Sequence, residues 1–270
     1  MKKIKLALCA VLLLIFMFSL TGCGIVANLF LAIVAPNDIN EYNGMQFWLI
    51  QHEDENGKDY YYMAGNLVDK EVVNYFMPME INGYPVRKFG YTRFMNTSAG
   101  TISLNEKALQ KLYMPGTIAE SGNDYSYLEY IHRSMQIYYC GEVINLCEIY
   151  PYDAGSIAID YYVPANRYDD FENVFGTTSY KPVLAGLHKA NIAYRLNSED
   201  MCEYYYVDNI EAGNKIENIP PEPTRKGYTF GGWYTEKECV NKWDFDNIPT
   251  VSDNEETFVE FSLYAKWIKK

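Results

Sequence analysis

Residues 224–234 read TRKGYTFGGWY and give the strongest structural signal in the C-terminal part of the chain. Alternate residues within 228–230 face the same side, which is the period of two that is typical of a half-buried β-strand. Gly231 and Gly232 then permit a sharp bend, because glycine adopts backbone conformations that other residues avoid. The bend places Trp233 back over the sheet, so the stretch predicts a strand with an aromatic residue closing a small core.

Two further aromatic blocks follow this stretch. Residues 242–246 read KWDFD, and residues 263–267 read LYAKW, in which alternate residues again share a face. The three blocks resemble the Listeria–Bacteroides repeat, also known from internalin B repeats, which reads Pro-x-Arg-x-Gly-Tyr-x-Phe-x-Gly-Trp-Tyr, then Trp-Asp-Phe, then Leu-Tyr-Ala-x-Trp. The resemblance implies a small β-grasp-like domain over residues 197–270, of a kind found on bacterial surface proteins as a spacer or adhesion module. Its tryptophans are expected to form a core rather than a ligand-binding face.

Short apolar strands recur through the middle of the chain. Three of them end in a proline, and a fourth lacks it; they are residues 75–78, 112–115, 161–164 and 135–139. The steps from Tyr113 to Ile137 and from Ile137 to Tyr161 are equal, at 24 residues each. A recurring step in the twenties is typical of a leucine-rich solenoid, whose coils must stack to bury their strands. The longer step before Tyr113 needs an irregular coil, for which residues 102–104 are the candidate strand.

Residues 76–90 read FMPMEINGYPVRKFG and are followed by Phe94. This segment resembles a BspA-type leucine-rich repeat, which runs apolar, Pro, a Gly-x-Pro-Val strand, then Ile-Gly and an aromatic residue. Residues 162–165, with Tyr168 and Phe171, are similar to the closing coil of such arrays. The fold class is therefore predicted as mainly β, with an irregular leucine-rich-repeat-like solenoid over residues 41–196 followed by the small β-grasp-like domain. An irregular β-rich domain with accidental strand–proline spacing is the alternative.

A hairpin is predicted where the folded part begins. Residues 45–51 and 59–63 are rich in β-forming residues and flank the polar segment HEDENGKD. Asn56 and Gly57 within that segment favour a tight turn, because both residues tolerate positive φ.

The N-terminal residues have the pattern of an export and anchoring signal. Lys2, Lys3 and Lys5 precede an apolar run over residues 6–20, which is the layout of a secretory signal peptide. Residues 20–23 read LTGC and resemble the lipobox of bacterial lipoproteins. The resemblance implies a signal peptide over residues 1–22, lipidation of Cys23, and an apolar tether over residues 23–40.

A single uncleaved anchor over residues 6–35 is the alternative, because residues 25–35 read IVANLFLAIVA and continue the apolar run beyond Gly22 and Gly24. Both interpretations leave the lysines on the cytoplasmic side and the rest of the chain outside. The expected location is the cell membrane, lipid-anchored and facing outward.

The composition restricts the partners. The formal net charge is −12, and residues 1–22 carry three lysines and no acid, which leaves −15 from Cys23 onward. Such a surface repels nucleic acid and anionic headgroups. The 26 tyrosines either form a carbohydrate- or protein-binding face or pack within β structure.

Four cysteines remain beyond Cys23, namely Cys140, Cys147, Cys202 and Cys239, in a compartment that permits disulfides. Sequence alone does not choose among their three pairings. Cys202 and Cys239 share the C-terminal module and are the more plausible internal pair.

No catalytic pattern, metal site or cofactor motif is evident. The histidines, His52, His132 and His188, lie far from metal-like partners in sequence, and there is no H-E-x-x-H, G-x-S-x-G or P-loop. The chain is therefore expected to be a membrane-anchored extracytoplasmic lipoprotein that binds a host or neighbouring-cell protein or glycan without catalysis. A structural spacer is the first alternative. A divergent glycan hydrolase with paired carboxylates is the second.

Overall fold

The structure, a computed structural model, describes residues 39–54, 57–67, 69, 71–89, 102–103, 109–121, 126–129, 135–144, 146, 149–151, 158–175 and 184–270. The predictions for the signal peptide, for Cys23 and for most of the tether lie outside these residues, as do Asn56, His132 and Cys147. Within the described ranges, no helix is long and apolar enough to cross a membrane.

The fold is mainly β, as predicted. The strands in chain order are β1 (Ile39–Tyr42), β2 (Met45–Asp54), β3 (Gly57–Leu67), β4 (Asn74–Phe76), β5 (Glu80–Ile81), β6 (Tyr84–Phe89), β7 (Ile102–Ser103), β8 (Lys111–Met114), β9 (Glu120–Ser121), β10 (Ser126–Glu129), β11 (Met135–Tyr139), β12 (Ile149–Pro151), β13 (Ala158–Pro164), β14 (Leu184–Ala190), β15 (Ile192–Arg195), β16 (Tyr204–Asp208), β17 (Tyr228–Tyr234) and β18 (Phe261–Lys269). One α-helix, α1 (Tyr168–Val174), follows β13 in the described part of the chain.

The first sheet has the order β1-β2-β3-β6-β5, with β9 beside β6. The predicted hairpin is confirmed, because β2 and β3 pair antiparallel in a register that runs from Met45 opposite Leu67 to Asp54 opposite Gly57. The Trp48 ring lies against Gly65 so closely that a Cβ there would come within 1.4 Å of a ring atom. Because Gly65 has no side chain, the Trp48 ring can occupy this position in the core.

A parallel sheet of five strands forms the centre of the molecule, in the order β14-β13-β11-β8-β4. Equivalent positions on four successive strands are occupied by Leu112, Ile137, Tyr161 and Leu187. These strands are thus separated along the chain by 25, 24 and 26 residues. Such short strands bury little alone, so each depends on its neighbours for cover.

Two sequence predictions about this region differ in detail from the structure, and one strand was not predicted. Equal steps of 24 place Tyr113 opposite Ile137, whereas Tyr113 pairs with Tyr138, one residue further on. The described residues of the candidate strand at 102–104 do form β7 (Ile102–Ser103), but β7 lies in the separate parallel sheet β12-β10-β7, and β4 pairs directly with β8. The sequence also does not predict β14, whose segment LAGLHKA lacks β-branched and aromatic residues.

Two hydrophobic cores lie on the two faces of the central sheet. On one face, Leu112 and Ile137 pack with residues of the first sheet such as Phe47, and α1 adds Phe171. On the other face, Tyr113 and neighbouring rings pack with the C-terminal module. The central sheet is therefore a middle layer that is covered on both sides.

An aromatic ladder runs across the second face. Its five rings come one from each strand of the central sheet, in the order Phe76, Tyr113, Tyr138, Tyr162 and His188. Successive ring centroids are 4.1, 4.6, 4.9 and 5.1 Å apart, with interplanar angles of 11°, 11°, 16° and 29°. Parallel in-register pairing produces this arrangement, because equivalent side chains of neighbouring strands point the same way.

The C-terminal module has a four-stranded sheet in the order β16-β15-β18-β17. Its two central strands, β15 and β18, pair parallel, while the outer pairs are antiparallel. The boundary predicted at Asn197 falls inside this module, because β15 (Ile192–Arg195) precedes it. The predicted bend is present, since Gly232 has φ +109° and the β17–β18 register shifts between Phe230 and Trp233.

The predicted core of the module is confirmed most clearly at Trp233, which is 4% exposed. Leu263 and Ala265 on β18 are fully buried. Trp243 and Trp267 are only partly buried, and the Trp267 Nε1 donates to the carbonyl oxygen of Leu196 at 2.6 Å. The tryptophans thus pack within the module to different depths.

The module is held against the central sheet by close polar contacts. The Tyr206 hydroxyl donates to the Met77 carbonyl at 2.5 Å, and the Tyr204 hydroxyl donates to Asn166 Oδ1 at 2.5 Å. A Cβ at Gly116 would lie 2.2 Å from the Tyr204 carbonyl oxygen, so the two backbones meet there without room for a side chain. The module and the central sheet consequently share one core.

Candidate functional site

A pocket of about 350 Å³ opens where the aromatic ladder reaches the module. We call it the junction pocket. It is lined by Tyr162, Tyr168, Glu172, Leu187, His188, Lys189, Asn209, Asp253 and Phe258. These residues come from β13, α1, β14 and the module, so the pocket exists only because the module packs on the central sheet.

His188 forms the outer end of the ladder at this pocket. One face of its ring stacks on Tyr162, and its side chain remains 45% exposed. Its Nε2 lies 3.1 Å from Asp160 Oδ1 on the neighbouring strand. Gly186 makes room for this pair, because a Cβ there would come within 2.5 Å of His188 Nε2 and 2.7 Å of Asp160 Oδ1. The absence of a side chain at Gly186 therefore leaves room for the contact with Asp160 that orients the imidazole.

Lys189 lies between two rings on another wall. Its Nζ is 5.0 Å from the Tyr168 ring centroid and 5.9 Å from that of Phe258, within cation–π range. The Tyr168 hydroxyl donates to Glu172 Oε1 at 3.3 Å. The pocket thus combines ring faces with an ammonium group, and it also contains the carboxylates of Glu172 and Asp253.

A buried carboxylate lies beside the pocket, at the residue before Asn209. Asp208 is 1% exposed, and its Oδ1 accepts from the Tyr113 hydroxyl at 3.0 Å and from the Asn209 backbone N–H at 2.9 Å. Lys111 Nζ lies 3.8 Å away, and Oδ2 has no hydrogen-bond partner among the described residues. Burial raises the pKa of Asp208 to about 6, against the lowering effect of Lys111.

Burial also shifts the pKa of the tyrosines around Asp208. Removal from water raises the pKa of Tyr113 and Tyr138, and the nearby Asp208 charge raises both further. These hydroxyls therefore stay protonated and act as donors. The ladder is thereby tied to the last residue of β16, which belongs to the module.

The predicted bond between Cys202 and Cys239 is not formed in this structure, where both are free thiols. Cys202 Sγ donates to the Tyr204 carbonyl at 3.3 Å, near the central sheet. Cys239 Sγ lies instead 3.7 Å from the Ala265 carbonyl oxygen, on the module's own sheet. Burial raises the pKa of Cys202 to about 11, so its thiol is protonated at neutral pH. Cys140 is likewise free, and it is fully buried.

The two described histidines, neither of which was predicted as a site residue, lie in different sheets. His52 lies on β2 in the first sheet, far along the chain from His188, and only His188 lines the junction pocket. Among the described residues, no group of three or more His, Cys, Asp and Glu side chains is placed to hold a metal ion.

Comparison with known families assigns the module. The region that carries the glycine bend, the buried Trp233 and the parallel central strands is the region that matches. Residues 191–266 match the Listeria-Bacteroides repeat domain. The match begins at Asn191, directly before β15, and so agrees with the structural start of the module rather than with Asn197. Listeria-Bacteroides repeat domains are typical of bacterial surface proteins.

Sequence reasoning predicted neither the pocket nor the Asp208 cluster beside it. Asp208 gives one usable signal, since it follows the run YYYV on a strand that is buried throughout. An acid at the end of such a strand is unusual, because ionised carboxylates are rarely buried without a partner. Lys189, Asn209 and Phe258 carry no comparable signal.

Proposed function

We propose that the protein is an extracytoplasmic bacterial lipoprotein, anchored through Cys23, that binds a glycan or protein of a host or neighbouring cell without catalysis. The observation that carries this proposal is the junction pocket, a concave site with rings and both signs of charge on a shared core. Sites of this kind bind ligands with little reorganisation, because their walls are held in place before binding.

The architecture we propose is a leucine-rich-repeat-like array followed by a β-grasp-like repeat. The steps of 25, 24 and 26 residues between parallel strands support the array. The parallel central pair with antiparallel flanking strands supports the β-grasp-like assignment. The module departs from the β-grasp-like assignment in one respect, because residues 209–227, which connect β16 to β17, contain no helix.

A structural spacer is the second candidate, and one observation favours it. Seven tyrosines are among the largest fully buried side chains, namely Tyr113, Tyr138, Tyr139, Tyr161, Tyr194, Tyr204 and Tyr206. These tyrosines pack the interior instead of forming a binding face. Binding through the junction pocket is the property that separates the two candidates.

Replacing Cys23 by alanine should abolish labelling with radioactive palmitate and leave the precursor uncleaved. The reason is that the Cys23 thiol is the group that accepts the lipid in the proposed anchor. Electrophoresis of labelled cells measures both results. A Cys9→Ala variant is the matched control and should be labelled like the wild type. Undiminished labelling of Cys23→Ala would exclude the lipoprotein assignment.

Glycan and matrix-protein arrays test the binding proposal. The full-length chain should bind at least one arrayed ligand, and Asp253→Asn should weaken binding about tenfold, the typical cost of a lost charged hydrogen bond. Asp244→Asn is the matched control, because Asp244 is also an exposed acid of the module but does not line the pocket. Bound glycans recovered from the array should be intact by mass spectrometry. Loss of binding in Asp244→Asn alone would place the site elsewhere, and cleaved glycans would favour the hydrolase.

A further inference from the structure

The aromatic ladder is open at its outer end. Beyond β14, the described part of the central sheet has no further strand, so nothing in the sheet covers the outer side of His188. The four inner rungs each lie between 4.1 and 5.1 Å from the next ring. A flat group of suitable size could therefore continue the series on the outer face of the imidazole.

A sugar ring presents such a flat group. The C–H bonds on one side of a pyranose form an apolar face, and aromatic faces attract the slightly positive hydrogens through their quadrupole. Tyr168 and Phe258 line the same pocket and extend the apolar surface. The imidazole is held in its orientation by Asp160, so stacking on it orders little that is mobile.

Hydrogen-bonding groups surround this surface. Glu172 and Asp253 can accept from sugar hydroxyls, while Lys189 can donate. Sugar hydroxyls donate and accept alike, so they suit a rim of mixed character. A purely apolar ligand would leave these groups without partners and lose their solvation.

The charge and the volume of the junction pocket restrict the class of sugar that it can bind. Two carboxylates face one ammonium in the pocket, and the chain from Cys23 onward stands at −15. An anionic sugar would be repelled by both. The volume of about 350 Å³ lies near the lower end of the range of small-molecule sites, about 300–1,000 Å³. The pocket consequently suits one or two rings rather than a long segment of polymer.

We infer that the junction pocket binds a neutral sugar ring that stacks on the outer face of His188 as the next rung of the ladder. This inference rests on the proposed binding function and names its ligand class. Tyr168 and Phe258 flank the ring, and Glu172, Lys189 and Asp253 bind its hydroxyls.

The test uses the full-length chain in a detergent without a sugar headgroup. Cellotriose, maltotriose, mannotriose, triacetylchitotriose and the anionic trigalacturonate are titrated separately, with saturation-transfer NMR and calorimetry as readouts. At least one neutral trisaccharide should bind, and trigalacturonate should not. His188→Ala should weaken that binding about tenfold, while His188→Phe, which keeps a flat ring, should restore most of it. Tyr84→Ala removes an exposed ring outside the pocket and should change nothing.

The outcomes separate this inference from the function on which it rests. Unchanged affinity in His188→Ala would overturn the stacking site, and binding of trigalacturonate alone would overturn the neutral class. If no trisaccharide binds but an arrayed protein still does, and Asp253→Asn weakens it, the sugar assignment fails and the binding function stands. If neither sugars nor arrayed ligands bind, both fail. Circular dichroism of each variant shows whether a loss reflects unfolding, and His188 is exposed enough for its replacements to fold.

Discussion

Replacing Trp233 by alanine should lower the free energy of unfolding by about 3–5 kcal/mol, the usual cost of truncating a buried aromatic residue. Trp233 is 4% exposed, and its ring centroid lies 5.1 Å from Tyr194, 5.2 Å from Phe230 and 6.1 Å from Tyr205. These neighbours belong to three different strands of the module. A cavity left by the indole would therefore be lined from several directions and could not collapse easily.

Urea denaturation of the full-length chain, followed by far-UV circular dichroism, measures this loss. Tyr84→Ala is the control, because Tyr84 is an exposed ring of the first sheet, and it should change the midpoint far less. The module shares its core with the central sheet, so we expect both to be destabilised together. A Trp233→Ala chain with an unchanged midpoint would mean that this tryptophan is a binding residue rather than part of the core.

The second large effect is the change in the free energy of unfolding with pH that Asp208 causes. Its pKa in the folded protein is about 6, above the ordinary value of 3.8, because burial disfavours the charged form. The folded state therefore holds the proton between about pH 4 and 6 while the unfolded state has released it. Stability from this group is complete below about pH 4 and is lost as the pH rises through 6. The difference amounts to about 3 kcal/mol at 1.36 kcal/mol per pH unit.

Asp208→Asn should remove this dependence. The comparison is the free energy of unfolding of both chains at pH 4, 5, 6 and 7, and the wild type should lose about 3 kcal/mol relative to the variant across the range. Asp200→Asn provides the control, because hydrogen bonds from Ser198 and Arg225 lower the pKa of this exposed acid, so its free energy of unfolding should run parallel to that of the wild type between pH 4 and 7. Its contribution is present above about pH 4 and is lost as the pH falls further. If the free energies of unfolding of the wild type and of Asp208→Asn change with pH in the same way, the Asp208 carboxylate does not titrate in this pH range.

The module could be predicted from local sequence because its signals lie close together along the chain. The alternation over 228–230, the glycine pair and Trp233 fall within one strand, and the structure confirms each of them. The hairpin of β2 and β3 was predictable for the same reason. Its two strands are adjacent in sequence, so local pattern suffices.

The register of the central sheet could not be predicted to the residue. The recurring step indicates which strands are neighbours. Whether a given coil has 24, 25 or 26 residues depends on loops whose lengths vary, and the strand pattern does not specify those lengths. The difference matters because a shift of one residue turns every side chain to the other face. It is the pairing of Tyr113 with Tyr138, rather than with Ile137, that assembles the ladder.

The junction pocket and the Asp208 cluster were beyond sequence reasoning for a different reason. Tyr113 and Asp208 are separated by 95 residues, and they meet only because β16 packs on the central sheet. Nothing in the local pattern of either segment specifies that contact. The site arises from the packing of the C-terminal module on the central sheet. Hydrophobic periodicity within either part does not reveal this packing.

The parallel pairing of β15 with β18 has a mechanical consequence. Their register runs from Ile192 opposite Phe261 to Arg195 opposite Tyr264, so the two strands point the same way. A pulling force applied at the start of β15 and the end of β18 acts along the strands in opposite directions. The hydrogen bonds between them are then loaded together in shear and must break at once, instead of opening one after another like a zipper. The repeat would resist stretching far better along this axis than when its strands are peeled apart sideways.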